Sequence, residues 1–207
     1  MAGQPRAETQ RGRDRRTALI EATLRIIVRD GPGAVTHRSV AAEAGSTHGL
    51  VSYYFGGREK LVRSALEDVA LRNVSWLAGA QDRLLTVAGD ATALAEVLAD
   101  IVDEQLVTDR AMGFSVLELH LAAARDPELR PLIRSWGKAF VLVSAPVLKR
   151  LGSRDPVQDT RLLAQLINGM VLEQLSVPRP EFKEHVLVPS LQRLTSAIAA
   201  DGARAST

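Results

Sequence analysis

The chain has 207 residues, 46% hydrophobic and 24% charged, a globular balance with length enough for one large core or two small ones. It contains no cysteine, which excludes disulfides and thiolate metal sites. The net charge of +2 hides an asymmetry: residues 1–63 hold 11 Lys/Arg against 6 Asp/Glu, a net of +5, and residues 64–207 hold 15 against 18, a net of −3. A basic first third on an acidic remainder suits a polyanion-binding head on a differently employed body. No apolar run approaches a membrane span, and the N-terminal MAGQPRAETQRGRDRR lacks the apolar stretch of a signal peptide. The expectation is a cytoplasmic protein without a membrane partner.

Arg6, Arg11, Arg13, Arg15 and Arg16 precede the first apolar stripe. Residues 1–14 are expected to be a basic flexible tail, either an arm tracking a nucleic-acid backbone or minor groove or a solvated extension. Leu19, Thr23, Ile26 and Ile27 then form one helix face that stops at Gly31-Pro32-Gly33.

Next comes THRSVAAEAGSTHGLVSYYF, residues 36–55. Thr36 is placed to cap a helix whose inner side is Val40, Ala41 and Ala44, and Gly45 to end it in the left-handed conformation. Thr47 caps a second helix of barely two turns, with Val51 and Phe55 facing inward. His48, Gly49, Leu50, Ser52 and Tyr53 then point outward. A DNA groove suits that set: Gly permits close approach, His and Tyr donate to phosphates or base edges, and Leu touches a thymine methyl. Two short helices joined by a Gly-containing turn on a basic segment make a helix-turn-helix.

Beyond residue 57 the pattern stays helical. Asp90 caps a stripe of Leu94, Val97, Leu98, Ile101, Val102, Gln105 and Leu106, while Asp126-Pro127 and Asp155-Pro156 read as N-cap followed by first-turn proline. No segment alternates with period two. Breaks near 31–35, 45, 56–57, 80–90, 109, 126, 152–155 and 178–180 predict an all-α chain of about nine helices, with Pro146 and Pro189 kinking the seventh and ninth. The organisation expected is tail 1–14, helix-turn-helix 15–57 and a helical ligand-binding and dimerisation body 58–207.

Thr36-x-Arg38-x-Val40-Ala41-x-x-Ala44-Gly45, then Thr47-x-Gly49-x-Val51-x-x-Tyr54-Phe55, then Arg58-Glu59-x-Leu61, resembles the DNA-binding domain of the tetracycline-repressor (TetR/AcrR) family over roughly residues 13–65. The resemblance implies a homodimeric repressor of double-stranded operator DNA, released by an unknown small-molecule effector in the C-terminal domain. It places Thr36, His37 and Arg38 against phosphates, with Arg38 reaching toward a base. Thr47, His48, Gly49, Leu50 and Ser52 enter the major groove, Tyr53 and Tyr54 meet the backbone, and Arg58 stands where the family usually has a phosphate-binding lysine. Ser46, Leu50 and Ser52 depart from the family's usual apolar, polar and Tyr residues, which bears on the operator sequence rather than on DNA binding.

In the body, Trp76, Phe114, Trp136 and Phe140 fall on helices that enclose the family's ligand pocket, with Met112, Glu118, His120, Asn168, Met170 and Glu173 as mixed lining. Plain core is the alternative for the aromatics, and a satisfied core or interface role for His120. Leu162, Leu163, Leu166, Ile167 and Met170, with Leu187, Leu191 and Leu194 on the last helix, form apolar faces broad enough for a four-helix dimer seam around Gly169, the alternative being burial in the body of a monomer. No hydrolase elbow, Walker loop, dinucleotide fingerprint or zinc-protease motif occurs, and the four histidines are scattered. No catalytic residue, metal or cofactor is therefore expected. The competing reading is an all-helical small-molecule-binding or adaptor protein that has lost DNA binding.

Overall fold

The computed structural model describes residues 10–204, all of them in helices or the turns between helices. Among the described residues nine α-helices follow in order: α1 (Gln10–Asp30), α2 (His37–Glu43), α3 (His48–Phe55), α4 (Arg58–Thr86), α5 (Ala91–Val102), α6 (Arg110–Arg125), α7 (Arg130–Leu151), α8 (Pro156–Ser176) and α9 (Val188–Arg204). Single 3-10 turns precede α2 and α7, and π-helical segments join α5 to α6 and lead into α9. The chain divides into two compact units between Asp68 and Val69, part way along α4 rather than at its start.

The first unit, the head, is held by one apolar cluster. Leu19, Ile26 and Ile27 from α1 meet Val35, Val40, Val51, Phe55 and Leu61, all almost wholly buried. Each such side chain removed from water stabilises the fold by about 1.5–3 kcal/mol. Residues 10–14, expected in a flexible tail, are the first turn of α1. Arg16 likewise belongs to the helix: its guanidinium lies over the Phe55 ring, 5.5 Å from the centroid, and Nη2 donates to Ser64 Oγ at 3.5 Å. Arg6 lies outside the described residues.

In the second unit, the body, α5 packs on α9 and α7 on α8. Thr195 Oγ1 on α9 donates to the Ala91 carbonyl at 2.8 Å, and Lys183 Nζ reaches Asp100 at 2.6 Å, a bond that raises the lysine's pKa. Neither proline expected to kink a helix interrupts one. Pro146 sits inside an uninterrupted α7 and is exposed, as is Leu142 one turn earlier, so the carbonyl it deprives of a donor faces solvent. Pro189 stands just past the π-helical segment Lys183–Leu187, with one residue between, a wider turn of the kind that accommodates a proline.

The seam between α6 and the preceding π turn demands glycine. A Cβ on Gly113 would fall inside the contact radius of the Leu106 carbonyl oxygen, and backbone cannot swing aside as a side chain can. Gly113→Ala is expected to destabilise the body by about 1–3 kcal/mol. Gly79→Ala, on an exposed turn of α4 with open space around the new methyl, should instead stabilise by about 0.5–1 kcal/mol. Urea unfolding of the two variants checks the pair, and equal midpoints would refute the packing argument.

Candidate nucleic-acid interface and ligand cavity

Helices of seven and eight residues do not persist in water unaided, so the head must hold α2 and α3 from outside. Thr36 and Ser39 do so reciprocally: Ser39 N–H donates to Thr36 Oγ1 at 3.0 Å and Thr36 N–H to Ser39 Oγ at 2.9 Å. Ser39 Oγ also donates to the Ala34 carbonyl. Gly45, at φ +58°, turns the chain after α2, and Thr47 Oγ1 accepts from Leu50 N–H at 3.3 Å to open α3. From α1, Arg25 and Arg29 grip Glu43 at 2.8 and 3.0 Å. Those bonds, Arg25's first, hold the Glu43 carboxyl below the usual carboxylate range and raise the Arg29 guanidinium.

On this frame Arg38, Thr47, His48, Gly49 and Tyr53 are exposed, Tyr53 at 80% of its full surface. Its ring stands edge-on to Tyr54, and Tyr54 is half-buried against the head core. Leu50, expected outward, is half-buried along a groove bordered by Arg15, Ala18, Gly45 and Thr47. Arg15 of α1 is thus a neighbour of the outward surface. From the sequence Arg15 stood before the first helix, in an arm tracking nucleic acid or in a solvated extension.

Three expected contacts are otherwise engaged. Ser52 is half-buried with its hydroxyl 3.1 Å from His37 Nδ1, and the His37 ring meets His48 edge-to-face at 5.3 Å. His37 and Ser52 therefore join α2 to α3. Arg58 donates from Nε to the Val35 carbonyl at 2.8 Å and from Nη2 to the Pro32 carbonyl at 2.6 Å. This planar fork clasps the start of α4 to the turn before α2, a task a lysine's point charge does not perform.

The body encloses a cavity of about 340 Å3. Trp76, His120, Trp136, Phe140 and Asn168 line it as expected. Met112, Phe114, Glu118, Met170 and Glu173 do not. Met112 instead receives the Asn73 amide at 3.5 Å, Phe114 lies under the Arg110 guanidinium, Met170 is packed in the core, and Glu173 pairs with Arg179 at the exposed end of α8. Glu118 is half-buried but outside the lining. Asn73 and Thr160 were missed, although each is a polar residue on an otherwise apolar stripe, with Val69 and Leu77 around one and Leu163 and Ile167 around the other. Both line the cavity, are almost wholly buried, and leave Oδ1 and Oγ1 without a partner.

The expected seam residues divide as well. Leu163, Ile167, Met170, Leu187 and Leu191 are buried within this one subunit and are core. Leu166 and Leu194 are half-buried, and Leu162 is 48% exposed.

Two family models match the chain: bacterial regulatory proteins of the tetR family over residues 19–65, and the tetracyclin repressor-like C-terminal domain over residues 89–197, more than half of its length. The chain belongs to the TetR family. It is 33% identical to the transcriptional regulator BetI of Burkholderia thailandensis over 76% of this chain and 80% of that one. With the nicotine-responsive repressor HdnoR of Paenarthrobacter nicotinovorans it shares 28% identity over 59% and 61% of the two chains. The multidrug binding protein EbrR, in complex with ethidium, superposes with a TM-score of 0.66 at 28% identity, covering 87% of this chain and 98% of that one. This TetR member is accordingly a ligand-responsive DNA-binding transcriptional regulator, and its all-α architecture is the one the sequence predicted.

The Arg58 clasp has a measurable consequence for the head. Arg58→Ala removes two hydrogen bonds from a charged donor to backbone, and its exposure limits the loss to about 1–2 kcal/mol. Arg58→Lys should recover less than half of that, because one ammonium cannot bridge both carbonyls in the same plane. Thermal unfolding followed at the head tyrosines decides. A lysine variant as stable as the parent would show that charge alone matters here.

Proposed function

We infer that this protein represses transcription as a homodimer, reading a two-fold operator with α2 and α3 of each subunit and loosening its hold when a small molecule fills the body's cavity. The observation that carries the DNA reading is the exposed set Arg38, His48, Gly49 and Tyr53 on two short helices that the head spends its caps and core to fix. Arg38 serves as the phosphate contact, with reach toward a base. His48, Gly49 and Leu50 face base edges, Gly49 letting backbone approach closely, and Tyr53 donates to the backbone. Thr36 and Thr47 hold the helix N-termini whose free N–H groups suit phosphate. His37, Ser52, Tyr54 and Arg58 position these groups. Among the described residues no helix is long and apolar enough to cross a membrane, and operator access places the protein in the cytoplasm.

Regulators of this family act as dimers, and α8 offers the surface. Leu162, Gly169 and Leu172 are exposed on it at spacings of seven and three, the seam pattern of packed helices. A methyl on Gly169 would meet open space within the subunit, leaving room for a partner helix. Leu166 and Leu194 flank the seam.

For the switch, α4 is the shared part. Leu61 and Ala65 of α4 are in the head core, Trp76 and Leu77 line the cavity, and Arg58 ties its first turn to Pro32 and Val35. A ligand that displaces α4 thereby acts on the element that seats α2. Coupling of about 1–3 kcal/mol is ordinary for such a device, and DNA must weaken the ligand by the same factor.

Footprinting on the DNA flanking the protein's own gene should show two half-sites about 34–36 Å apart or a little more. The double variant Leu162→Glu/Leu172→Glu should sediment as a monomer and lose the paired footprint. Arg38→Ala should lower the salt slope by about one unit, whereas Arg58→Ala weakens binding with its slope kept. No protection at any flanking sequence would favour the adaptor reading instead.

A further inference from the structure

We propose that the body's cavity takes an uncharged, flat, fused-ring aromatic molecule bearing an N–H or O–H donor, and that Asn73 and Thr160 recognise that donor. This deepens the regulator reading and rests on it for the ligand's role as effector, not for its chemistry.

The shape follows from the walls. Trp76, Trp136 and Phe140 present three aromatic side chains to about 340 Å3, a volume at the small end of ligand pockets. Flat rings gain from stacked or edge-on contact with such faces.

The polarity follows from hydrogen bonds that are missing. Asn73 Nδ2 donates to the Val69 carbonyl at 2.9 Å and toward Met112 Sδ at 3.5 Å. A flipped amide would set oxygen against oxygen, so the orientation is fixed and Oδ1 is the free acceptor. Oδ1 has no partner, and Asn73 is only 1% exposed. Thr160 Oγ1 on the facing helix α8 is likewise unpartnered, in a side chain with no exposure. His120 adds a third acceptor. Its Nδ1 is 2.9 Å from the Val116 carbonyl, and since a carbonyl only accepts, Nδ1 carries the proton and Nε2 keeps its lone pair. Buried polar atoms left unpartnered are costly, and a guest whose donor reaches the Asn73 amide oxygen and the Thr160 hydroxyl oxygen recovers that loss where a donor-free guest of equal shape does not.

Charge is excluded on both sides. No Asp or Glu is among the described residues lining the cavity, and Arg161 is, so a cation meets repulsion without a counter-charge. Arg161, the one formally charged residue of that lining, is itself exposed, so an anion held at the depth of Asn73 and Thr160 loses its hydration without a buried counter-charge. An uncharged donor meets neither.

The test uses the whole protein and three probes of like size: carbazole, with one N–H; dibenzofuran, the same frame with oxygen in its place; and 10-methylacridinium, a flat cation without a donor. Equilibrium dialysis should show carbazole bound at least about tenfold tighter than dibenzofuran, and the cation weaker than carbazole. The double variant Asn73→Leu/Thr160→Val should close the carbazole–dibenzofuran gap while leaving dibenzofuran binding unchanged or tighter. Equal binding of the two neutral probes by the parent protein, a cation bound tightest, or no binding of any probe each overturns the proposal, and none of these needs the variant to fold. A gap that survives in a folded double variant overturns the role of Asn73 and Thr160. Operator binding without ligand, measured by gel shift, stands apart: its absence would undo the regulator reading and leave the dialysis result intact.

Discussion

The head is built around a length constraint. Seven residues in α2 and eight in α3 are too few to sustain helix in water, yet both must stay helical to present side chains in register. Every device in the head answers that constraint. Thr36 and Ser39 close one helix end and Thr47 the other, Gly45 allows the sharp turn between them, and Glu43 is gripped from α1. Val40, Val51 and Phe55 anchor the inner faces in a dry core. The His37–Ser52 contact and the Arg58 fork then fix the two helices to each other and to α4. The exposed residues remain free for a partner because buried and half-buried ones have taken over the holding.

This division explains which parts were legible in the sequence. Caps, stops and inward residues follow local rules, so Thr36, Gly45, Thr47, Val51 and Phe55 were placed correctly from spacing alone. Side chains long enough to reach across elements do not follow local rules. Arg58 and Arg16 were read as cations facing DNA or water, yet one clasps two carbonyls 23 and 26 residues away and the other lies over Phe55. Ser52 seemed outward by helical position, but α2 brings His37 to it. A periodicity argument sees one helix at a time and cannot know what the next helix brings.

The body shows the same limit at larger scale. The breadth of the apolar surface on α8 was visible, but not that it serves two faces. Leu163, Ile167 and Met170 point into the subunit, while Leu162, Gly169 and Leu172 face out. In the sequence Leu162 and the buried residues were read as one wide seam around Gly169, and Leu172 was not part of it. Separated by burial, they are a core stripe and a narrower exposed stripe, and only the second is available to a partner. The cavity was half legible for a similar reason: Trp76, Trp136 and Phe140 announce themselves by size, whereas nothing local marks Glu118 or Glu173 as lying outside it.

Polar side chains are used in two ways in this chain, and the difference separates scaffold from cavity wall. In the head, Thr36, Ser39, Thr47 and Arg58 each spend their polar atoms on backbone groups of the same unit. In the body, Thr195 and Ser115 on α9 and α6 do the same, each donating to a carbonyl a turn away. Asn73 and Thr160 stand apart, as polar residues on apolar stripes that face a cavity with an acceptor unspent. Leucine or valine at either position would keep the stripe and remove the penalty, so packing alone gives no reason for them. A cavity wall that tolerates unmade hydrogen bonds makes sense when the missing partner arrives from outside. Fused-ring guests then differ in affinity through their donors more than through their area, because the aromatic walls hold any flat guest nearly alike.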